Sequence, residues 1–334
     1  GDEVILPAYT YCATANVVEH LGATVVFADV NALDFNINCK SIAEKISSKT
    51  KVIMPVDIGG YPCDYEEIYE VVQANTHLFS PSSEVQKDLG RICVLADAAH
   101  SIGASYHGEL SGTCADVSVF SFHAVKNLST AEGGAIALNL PESFDCEALR
   151  KQFKTKSLHG QSKDAFSKMQ LGGWKYDVVE AGFKCNMTDI QASMGLVELS
   201  RYPANMERRQ QIFARYTDLL RDYDWAHCPR FITGAKESSY HLYMLRIRGA
   251  SEEMRNEIIQ KISADEIAVN VHYLPVPGMT HYVNKGYNLD DYPQAKANYQ
   301  NEISLPVYFN LKNDQVDTVV KSLVAAVESV MKHV

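Results

Sequence analysis

Two polar side chains stand at the ends of apolar segments in the first half of the chain. Asp97 ends the segment RICVLAD, and Lys126 follows the segment DVSVFSF, 29 positions later. In an open α/β sheet, ligands bind beyond the carboxyl ends of the strands, so we expect both side chains to face one crevice. Each side chain also has an ordinary alternative: Asp97 as the cap of a following helix, and Lys126 as a solvated loop lysine.

A lysine paired with an aspartate is what pyridoxal phosphate (PLP) chemistry requires. The lysine amine forms a Schiff base with the cofactor aldehyde, and the aspartate keeps the pyridine nitrogen protonated. Burial lowers the pKa of a lysine and leaves more neutral amine for attack. Ser121 lies five residues before Lys126 and could donate a hydrogen bond to the phosphate. The pair Lys126 and Asp97 therefore predicts a PLP site.

Motifs of several other enzyme classes are absent from the sequence. There is no GxGxxG after a strand and no GxxxxGK[ST], which disfavours a nicotinamide oxidoreductase and a P-loop NTPase. The motifs GxSxG and HExxH are also missing, which disfavours esterases and zinc peptidases. The eight cysteines show neither CxxC nor zinc-finger spacing, so we predict no metal site.

The two polar side chains must be positioned by strands that alternate with helices. Short segments rich in Val and Ile alternate with helical stretches, which predicts a mostly parallel sheet flanked by helices. The last two segments are too close for a crossover helix, so we expect them to pair antiparallel. The polar insertion at residues 75–88 is interpreted as a loop. The predicted strands are residues 3–7, 24–30, 51–56, 91–97, 116–122 and 134–140.

The second half of the chain has a different pattern. A long helical region at 186–223 is expected to break near Pro203. The remaining pattern predicts a smaller α+β domain, so we expect a large α/β domain at 1–200 and a small domain at 201–334. Its predicted elements are a strand at 243–249, a helix at 251–265 capped by Ser251, a strand at 268–275 and a closing amphipathic helix from 314.

Composition narrows the class of protein further. The 334 residues are 46% apolar and carry a net charge of −10, which argues against general nucleic-acid binding. The cysteines lie partly in apolar segments, as in a reduced, cytoplasmic protein. There is no apolar run of membrane-spanning length and no signal-peptide pattern. The chain starts GDEVILP without a Met, one turn before a strand, so we expect residues ahead of Gly1 to be missing.

The segments DAAHSIGA and FSFHAVKNLSTAEGGA resemble the DegT/StrS group of sugar-nucleotide aminotransferases, which are fold-type I PLP-dependent transferases. The similarity continues through GDEVILPAYTYCATAN, GFKCNMTDIQASMGLVEL, VNVHYLP and EISLPVY, at consistent spacing over essentially the whole chain. The form SFHAVKN…AEGG is most similar to the UDP-4-amino-4-deoxy-L-arabinose aminotransferase branch.

The resemblance implies roles for the residues around the cofactor. Lys126 would be the Schiff-base lysine and the proton shuttle, and Asp97 would pair with the pyridinium nitrogen. Ser121 would bind the phosphate, Tyr11 would stack on the ring, and His100 would lie near the cofactor oxygen. A core tyrosine is the alternative for Tyr11, and helix-surface packing is the alternative for His100.

The resemblance also implies roles farther from the cofactor ring. Asn186 would reach across a dimer interface to the cofactor phosphate of a second copy, or it would cap the long helix, or both. His159 and His272 would line the sugar-nucleotide side, although a lone histidine is about as often structural. His123 adjoins the site without an assigned role.

The implied reaction moves an amino group from L-glutamate to a keto-sugar linked to a nucleotide, in a homodimer with shared active sites. The product would be an amino sugar for a polysaccharide, a lipid or a glycosylated metabolite. One alternative is a PLP-dependent sugar dehydratase of the same fold, in which histidine replaces the lysine, so the presence of Lys126 favours transamination. Another alternative is a regulatory PLP-binding protein without turnover. The sequence shows no DNA-binding helix-turn-helix segment, which counts against this alternative.

The chain departs from the family pattern at two places. The family begins some tens of residues earlier, with a turn rich in small and hydroxyl residues that supplies further phosphate contacts at a helix N-terminus. That segment is not in this sequence. The insertion around residues 75–90 is the second departure, and nothing in its sequence indicates its purpose.

Overall fold

A computed structural model describes residues 1–162 and 174–331. The first half alternates strands and helices, as the apolar pattern predicts. Its elements are β1 (Glu3–Pro7), α1 (Cys12–His20), β2 (Thr24–Ala28), α2 (Cys39–Lys45), β3 (Thr50–Ile53), α3 (Tyr65–Ala74), α4 (Glu84–Leu89), β4 (Cys93–Asp97), β5 (Ser105–Tyr106), β6 (Glu109–Leu110), β7 (Val117–Ser121), β8 (Gly134–Leu138) and α5 (Cys146–Lys156).

Six of these strands form one sheet in the order β2-β1-β3-β4-β7-β8. Every neighbouring pair is parallel except β7 and β8, which pair antiparallel with Val119 opposite Ile136. The mostly parallel sheet and its antiparallel last pair are therefore confirmed. Alternate residues of β1 enter separate cores: Leu6 packs into one and Ile5 into another, because successive side chains of a strand point to opposite faces.

The second half contributes helices and a small antiparallel sheet, whose strands lie in the order β12 (Glu302–Leu305), β11 (Tyr243–Ile247) and β9 (Ala226–His227). A further core lies between this sheet and its helices, with Phe213, Leu245 and Leu323 buried in it. No described helix combines the length and the apolar character that a bilayer crossing requires. The elements are α6 (Asp189–Leu220), β9 (Ala226–His227), β10 (Lys236–Glu237), β11 (Tyr243–Ile247), α7 (Glu252–Ala264), α8 (Thr280–Val283), α9 (Pro293–Asn301), β12 (Glu302–Leu305) and α10 (Asn313–Met331).

The expected break near Pro203 is wrong, because α6 runs through it without interruption. Proline removes one backbone donor, but contacts on both sides of it hold the helix in place. The Tyr202 hydroxyl donates to the Ile102 carbonyl at 2.6 Å, and the Asn205 amide donates to the Asn127 carbonyl at 2.9 Å. The domain division at 200/201 stays a prediction, and that position lies within this continuous helix.

Two other local predictions are also wrong. The insertion at 75–88 is not simply a loop, because Ser83 accepts from the Gln86 amide and caps α4, which ends at Gly90 with φ of +70°. Residues 268–275 form no strand and make only a single bridge, between Asn270 and Ser304. The pairing stops there because the His272 amide donates to the Glu302 carboxylate at 2.9 Å instead of to a strand carbonyl.

The helix termini match the sequence signals only in part. Ser251 caps α7 by accepting from the Met254 amide, as expected. The cap of α6 is Thr188, which forms a capping box with Gln191. The alternative reading of Asn186 as the cap of this helix is therefore wrong.

Candidate active site

Asp97 lies at the carboxyl end of β4, beside the parallel strand β7. Its Oδ2 accepts a hydrogen bond from the Thr14 hydroxyl at 2.7 Å, and its Oδ1 accepts from the Ala99 amide at 3.1 Å. These contacts fix the carboxylate and leave lone pairs for a further donor. The residues directly after Asp97 form a turn and not a helix, so its alternative role as a helix cap is wrong.

Lys126 follows β7 in a turn whose backbone amide donates to the His123 carbonyl at 2.9 Å. The side chain is half-buried rather than solvated. Burial lowers its pKa, while the nearby Asp97 carboxylate acts in the opposite direction. Within residues 1–162 and 174–331, its Nζ has no hydrogen-bond acceptor and no carboxylate within 4.0 Å. The lysine therefore presents an unpaired amine beside an anchored carboxylate.

A cavity of about 310 Å³ opens beside this amine. Its described lining includes no aspartate or glutamate, so no carboxylate in the wall offsets the positive groups there. The polar and aromatic side chains that line it are Lys126, Arg209, His241, Asn270, His272, Tyr273 and Ser304.

Arg209 projects from α6 to the cavity and is almost fully buried. Its Nε donates to Asn205 Oδ1 at 3.0 Å, and its Nη1 donates to the Tyr240 carbonyl at 3.2 Å. Burial lowers the pKa of this guanidinium to about 10, so it stays charged at neutral pH. No acidic side chain of the described chain forms an ion pair with it.

Two buried histidines lie beside Lys126 with their rings 4.5 Å apart. His100 Nδ1 accepts from the Gly59 amide at 3.2 Å, and His241 Nδ1 lies 2.8 Å from Asn127 Oδ1. Burial is the main cause that lowers the pKa of each ring, and the Lys126 charge lowers both further. Both histidines are therefore neutral at pH 7. Helix-surface packing as the alternative for His100 is wrong, since its ring is buried outside any helix.

An aromatic connection leads from this pair to Tyr11. The Tyr273 hydroxyl lies 3.1 Å from His100 Nε2, and its ring is 5.5 Å from the ring of Tyr11. Tyr11 is 55% exposed, so it is not a core tyrosine. It remains an aromatic surface at the edge of the site, as cofactor stacking requires.

His272 contacts the cavity from the segment that precedes α8. Its Nδ1 lies 2.8 Å from Ser304 Oγ, and its Nε2 lies 3.4 Å from the Asn270 amide. Burial, assisted by the Lys126 charge, lowers its pKa to about 4. The structure thus brings His272 together with Lys126, while its proposed contact with substrate stays a prediction.

Other predicted residues are less closely joined to Lys126. Ser121 ends β7, and its Oγ accepts from the His123 amide at 3.3 Å. The His123 ring points to the surface, 3.6 Å from Glu132. His159 and Asn186 are exposed, and no contact within the described chain joins either of them to Lys126. Their roles stay predictions.

Several site residues were not identified from the sequence. Thr14, Asn127 and Tyr273 lie next to motifs that were identified, in YCATAN, AVKN and VHYLP, so adjacency was an available signal. Arg209 and His241 had no such signal. They reach Lys126 only through the packing of α6 and of the segment before β11.

The residues present fit PLP, on observations of the chain itself. The amine of Lys126 is half-buried and unpaired, which suits a covalent partner. Asp97 offers lone pairs at a strand end, Ser121 offers a hydroxyl, and Tyr11 offers an exposed ring. Asp97 would hold the ring nitrogen, and Ser121 would hold the phosphate.

Residues 1–324 match the model of the DegT/DnrJ/EryC1/StrS aminotransferase family. Among solved structures, Spr1654 from Streptococcus pneumoniae, assigned as a sugar aminotransferase, is similar in its PMP form with a TM-score of 0.95. The identity is 45%, covering 99% of this chain and 83% of that one. A PLP form of the same protein has a TM-score of 0.94.

Two further relatives are more distant. PseC from Helicobacter pylori, an aminotransferase involved in the biosynthesis of pseudoaminic acid, has a TM-score of 0.84 and 27% identity, covering 98% of this chain and 80% of that one. The spore coat polysaccharide biosynthesis protein SpsC from Bacillus subtilis is 34% identical over 97% of this chain and 78% of its own length.

Proposed function

We propose that this chain, which belongs to the DegT/DnrJ/EryC1/StrS aminotransferase family, moves an amino group from L-glutamate to a keto-sugar carried on a nucleotide. The cofactor is pyridoxal phosphate, which supplies an electrophilic aldehyde and an electron-accepting ring when bound. The observation that carries the proposal is the half-buried, unpaired amine of Lys126 beside the anchored carboxylate of Asp97.

In this proposal Lys126 holds and releases a proton at Nζ. Burial makes its ammonium form less favourable, so a larger share of the amine is neutral near pH 7 than in a solvated lysine. The neutral rings of His100 and His241 exclude water on one side of Lys126 without adding charge.

Asp97 acts as a fixed negative charge at the end of β4. The Thr14 hydroxyl and the Ala99 amide hold both carboxylate oxygens, so the group is oriented before any ligand arrives. Preorganised charges stabilise a developing opposite charge without reorganisation at the moment of reaction. Asp97 would thereby keep a bound ring nitrogen protonated.

The amino donor is proposed to be a dicarboxylic amino acid. Lys126 and the charged Arg209 face a cavity whose described lining contains no carboxylate. Such a cavity attracts anions, and guanidinium groups bind carboxylates well. L-Glutamate meets this requirement.

The amino acceptor is proposed from the relatives. Spr1654 is assigned as a sugar aminotransferase, PseC takes part in pseudoaminic acid biosynthesis and SpsC in spore coat polysaccharide biosynthesis. A nucleotide-linked keto-sugar, with His159 and His272 on its side of the site, is the corresponding acceptor. The product would be an amino sugar for a polysaccharide, a lipid or a glycosylated metabolite, and we place the reaction in the cytoplasm.

We further propose a homodimer with shared active sites. Ile190, Leu196 and Val197 on the first half of α6 are exposed, and so is Ile136 on β8. A β-carbon added to Gly133 would lie 3.0 Å from Met187 Cε, so the starts of β8 and α6 adjoin. We call these side chains, Ile136, Met187, Ile190, Leu196 and Val197, the outer face. A second copy covering it would bring Asn186 to the partner's phosphate site.

The decisive experiment separates the donor and acceptor halves of the reaction. The purified protein loaded with PLP is mixed with L-glutamate, and the cofactor spectrum and released 2-oxoglutarate are measured. We expect the spectrum to change with one equivalent of 2-oxoglutarate per site, and a keto-sugar nucleotide to reverse the change. An unchanged spectrum would contradict the proposal and favour a PLP-binding protein without turnover. Sugar dehydration without 2-oxoglutarate would favour a dehydratase.

A further inference from the structure

A buried chain of hydrogen bonds leads away from the cavity behind His272. Ser304 Oγ lies 2.8 Å from His272 Nδ1 and donates to Glu302 Oε1 at 2.5 Å. The other carboxylate oxygen of Glu302, Oε2, accepts from the His272 backbone amide at 2.9 Å. Glu302 is fully buried and is absent from the cavity lining, so it can act on the cavity only through these two residues.

The backbone amide of His272 fixes which way this chain is polarised. An amide can only donate, so Glu302 Oε2 must accept and cannot carry the proton on that side. When the carboxyl is ionised, Oε1 also accepts, so the Ser304 hydroxyl donates to it. Ser304 Oγ is then left to accept from His272 Nδ1–H, and Nε2 is the unprotonated nitrogen beside Asn270.

Protonation of Glu302 reverses the two side-chain bonds, from Glu302 to Ser304 and from Ser304 to His272, while the His272 amide continues to donate to Oε2. The proton must sit on Oε1, because Oε2 is held by the amide, and Oε1–H then donates to Ser304. The Ser304 hydroxyl turns to donate to His272 Nδ1, so the ring proton moves to Nε2. The imidazole stays neutral in both states, yet Nε2 changes from an acceptor of the Asn270 side-chain NH₂ to a donor, so that NH₂ must turn away from it.

We propose that Glu302 is a positioning residue that sets, through Ser304, whether the Nε2 of His272 accepts or donates a hydrogen bond in the cavity beside Lys126. For a sugar substrate, an acceptor at this point selects a hydroxyl group that donates, and a donor selects a carbonyl or an anionic oxygen. This assignment of the ligand rests on the proposed function, whereas the tautomer of His272 does not.

The surroundings of Glu302 make this exchange accessible near neutral pH. Burial raises the pKa of its carboxyl to about 8, opposed by its hydrogen bonds and by the charge of Arg255. Arg255 donates to the main-chain carbonyl of Glu302 rather than to its carboxylate. Three further titratable groups face this cluster: Tyr9, whose hydroxyl donates to the His272 carbonyl, Tyr273, whose pKa is raised by burial and also by the Glu302 charge, and Lys126, whose charge lowers the pKa of His272. The neutral rings of His100 and His241 also interact with His272.

The direct test is the tautomer of His272, measured by the ¹⁵N chemical shifts of its two ring nitrogens in the purified protein without substrates. We expect the Nδ1–H form at pH 9 and a shift towards the Nε2–H form as the pH falls through 8. The His272 pKa of about 4 keeps the ring neutral over this range. Finding the Nε2–H form at pH 9, or a tautomer that does not change between pH 9 and 6, would overturn the proposal.

Two variants test the chain of bonds itself. In Glu302→Gln the His272 amide requires an acceptor, so the glutamine oxygen occupies that side and its NH₂ donates to Ser304. We expect the Nε2–H tautomer at all pH values from 6 to 9. In Ser304→Ala the tautomer should no longer follow the titration of Glu302. A parent-like pH response in either variant rejects the proposal.

Ser322→Ala is the control, because the buried Ser322 on α10 also donates to a carboxylate, that of the exposed Asp265, and Ser322 is absent from the cavity lining. Its His272 signals should equal those of the parent. In turnover at pH 9, where Glu302 of the parent is ionised, Glu302→Gln should change KM for the acceptor roughly 3- to 10-fold, the equivalent of one neutral hydrogen bond, with a smaller change in kcat. At pH 6, where Glu302 of the parent is protonated, the two KM values should agree. If L-glutamate leaves the cofactor spectrum unchanged, the proposed function fails while the tautomer result still decides the role of Glu302.

Discussion

The cavity beside Lys126 and the outer face are constructed in opposite ways. His241 and His272 in the cavity wall, and His100 packed against His241, each have a hydrogen-bond partner for Nδ1 from within the chain. On the outer face, apolar side chains such as Leu196, 70% exposed, point to solvent. One chain is therefore enough to orient these histidine side chains, whereas the predicted role of Asn186 requires a second copy of the chain.

The largest effect should follow from removing the amine in the cavity. Lys126→Ala is expected to lower kcat by at least about 10³-fold, because an acid–base group of this kind contributes up to about 10⁴-fold. The cofactor spectrum should also lose the band of the lysine-linked form. Lys87→Ala, on the surface of α4, is the control and should behave like the parent. Near-parental turnover of Lys126→Ala would remove this lysine from the mechanism.

Asp97→Asn should have the next largest effect. The amide keeps the shape of the side chain but loses the charge that pairs with a protonated ring nitrogen. We expect a loss of about 10²- to 10³-fold in kcat with cofactor binding retained, as for loss of one preorganised electrostatic group. Cofactor titration and single-turnover kinetics measure the two quantities. The exposed Asp290→Asn serves as control, and full activity of Asp97→Asn contradicts the assignment.

A charge on the outer face tests the other side of the comparison. Leu196→Glu would bury a carboxylate in the proposed dimer interface, so we expect the dissociation constant of the dimer to rise by at least about 10-fold. Light scattering coupled to size exclusion measures it. Leu21→Glu, at an even more exposed leucine after α1, should leave the oligomeric state unchanged. Identical profiles for the parent and Leu196→Glu would exclude this surface as the interface.

The raised pKa of Glu302 predicts that the free energy of unfolding depends on pH. Its pKa is raised to about 8, so between about pH 5 and pH 8 the folded protein holds a proton that the unfolded chain has lost. Unfolding then releases a proton, and the free energy of unfolding falls as pH rises, by about 1.4 kcal/mol per pH unit relative to Glu302→Gln. Urea unfolding of both proteins across this range measures the slope. A constant difference between them would show that Glu302 titrates normally.

The smallest effect is expected at Thr14, whose hydroxyl donates to Asp97 at 2.7 Å. Thr14→Val removes this neutral donor at nearly constant volume, so we expect kcat/KM to fall roughly 3- to 10-fold. Thr113→Val removes an exposed hydroxyl contact of similar length and should have no effect on turnover. Equal kinetics for both variants would mean that Asp97 is oriented without Thr14.

The sequence was most informative where structure follows from local pattern. The strands of the main sheet could be predicted from runs of Val and Ile, and Asp97 and Lys126 from their positions at strand ends. The path of α6 through Pro203 could not, because the contacts that hold it, such as Tyr202 to Ile102, join residues 100 positions apart. The pairing of Asn127 with His241 spans 114 positions and follows no spacing rule. Such residues are assigned to the site only when the packing is known.

The unbroken helix α6 also has a mechanical consequence. Its 32 residues carry the outer face on the first half and Arg209 on the second. A helix of this length is about 48 Å long, so a tilt of about 5° about one end displaces the other by about 4 Å. The same continuous helix therefore connects the outer face to the cavity wall, and a tilt of α6 at the outer face would change the position of the Arg209 guanidinium only if the contacts of Tyr202 and Asn205 also shifted.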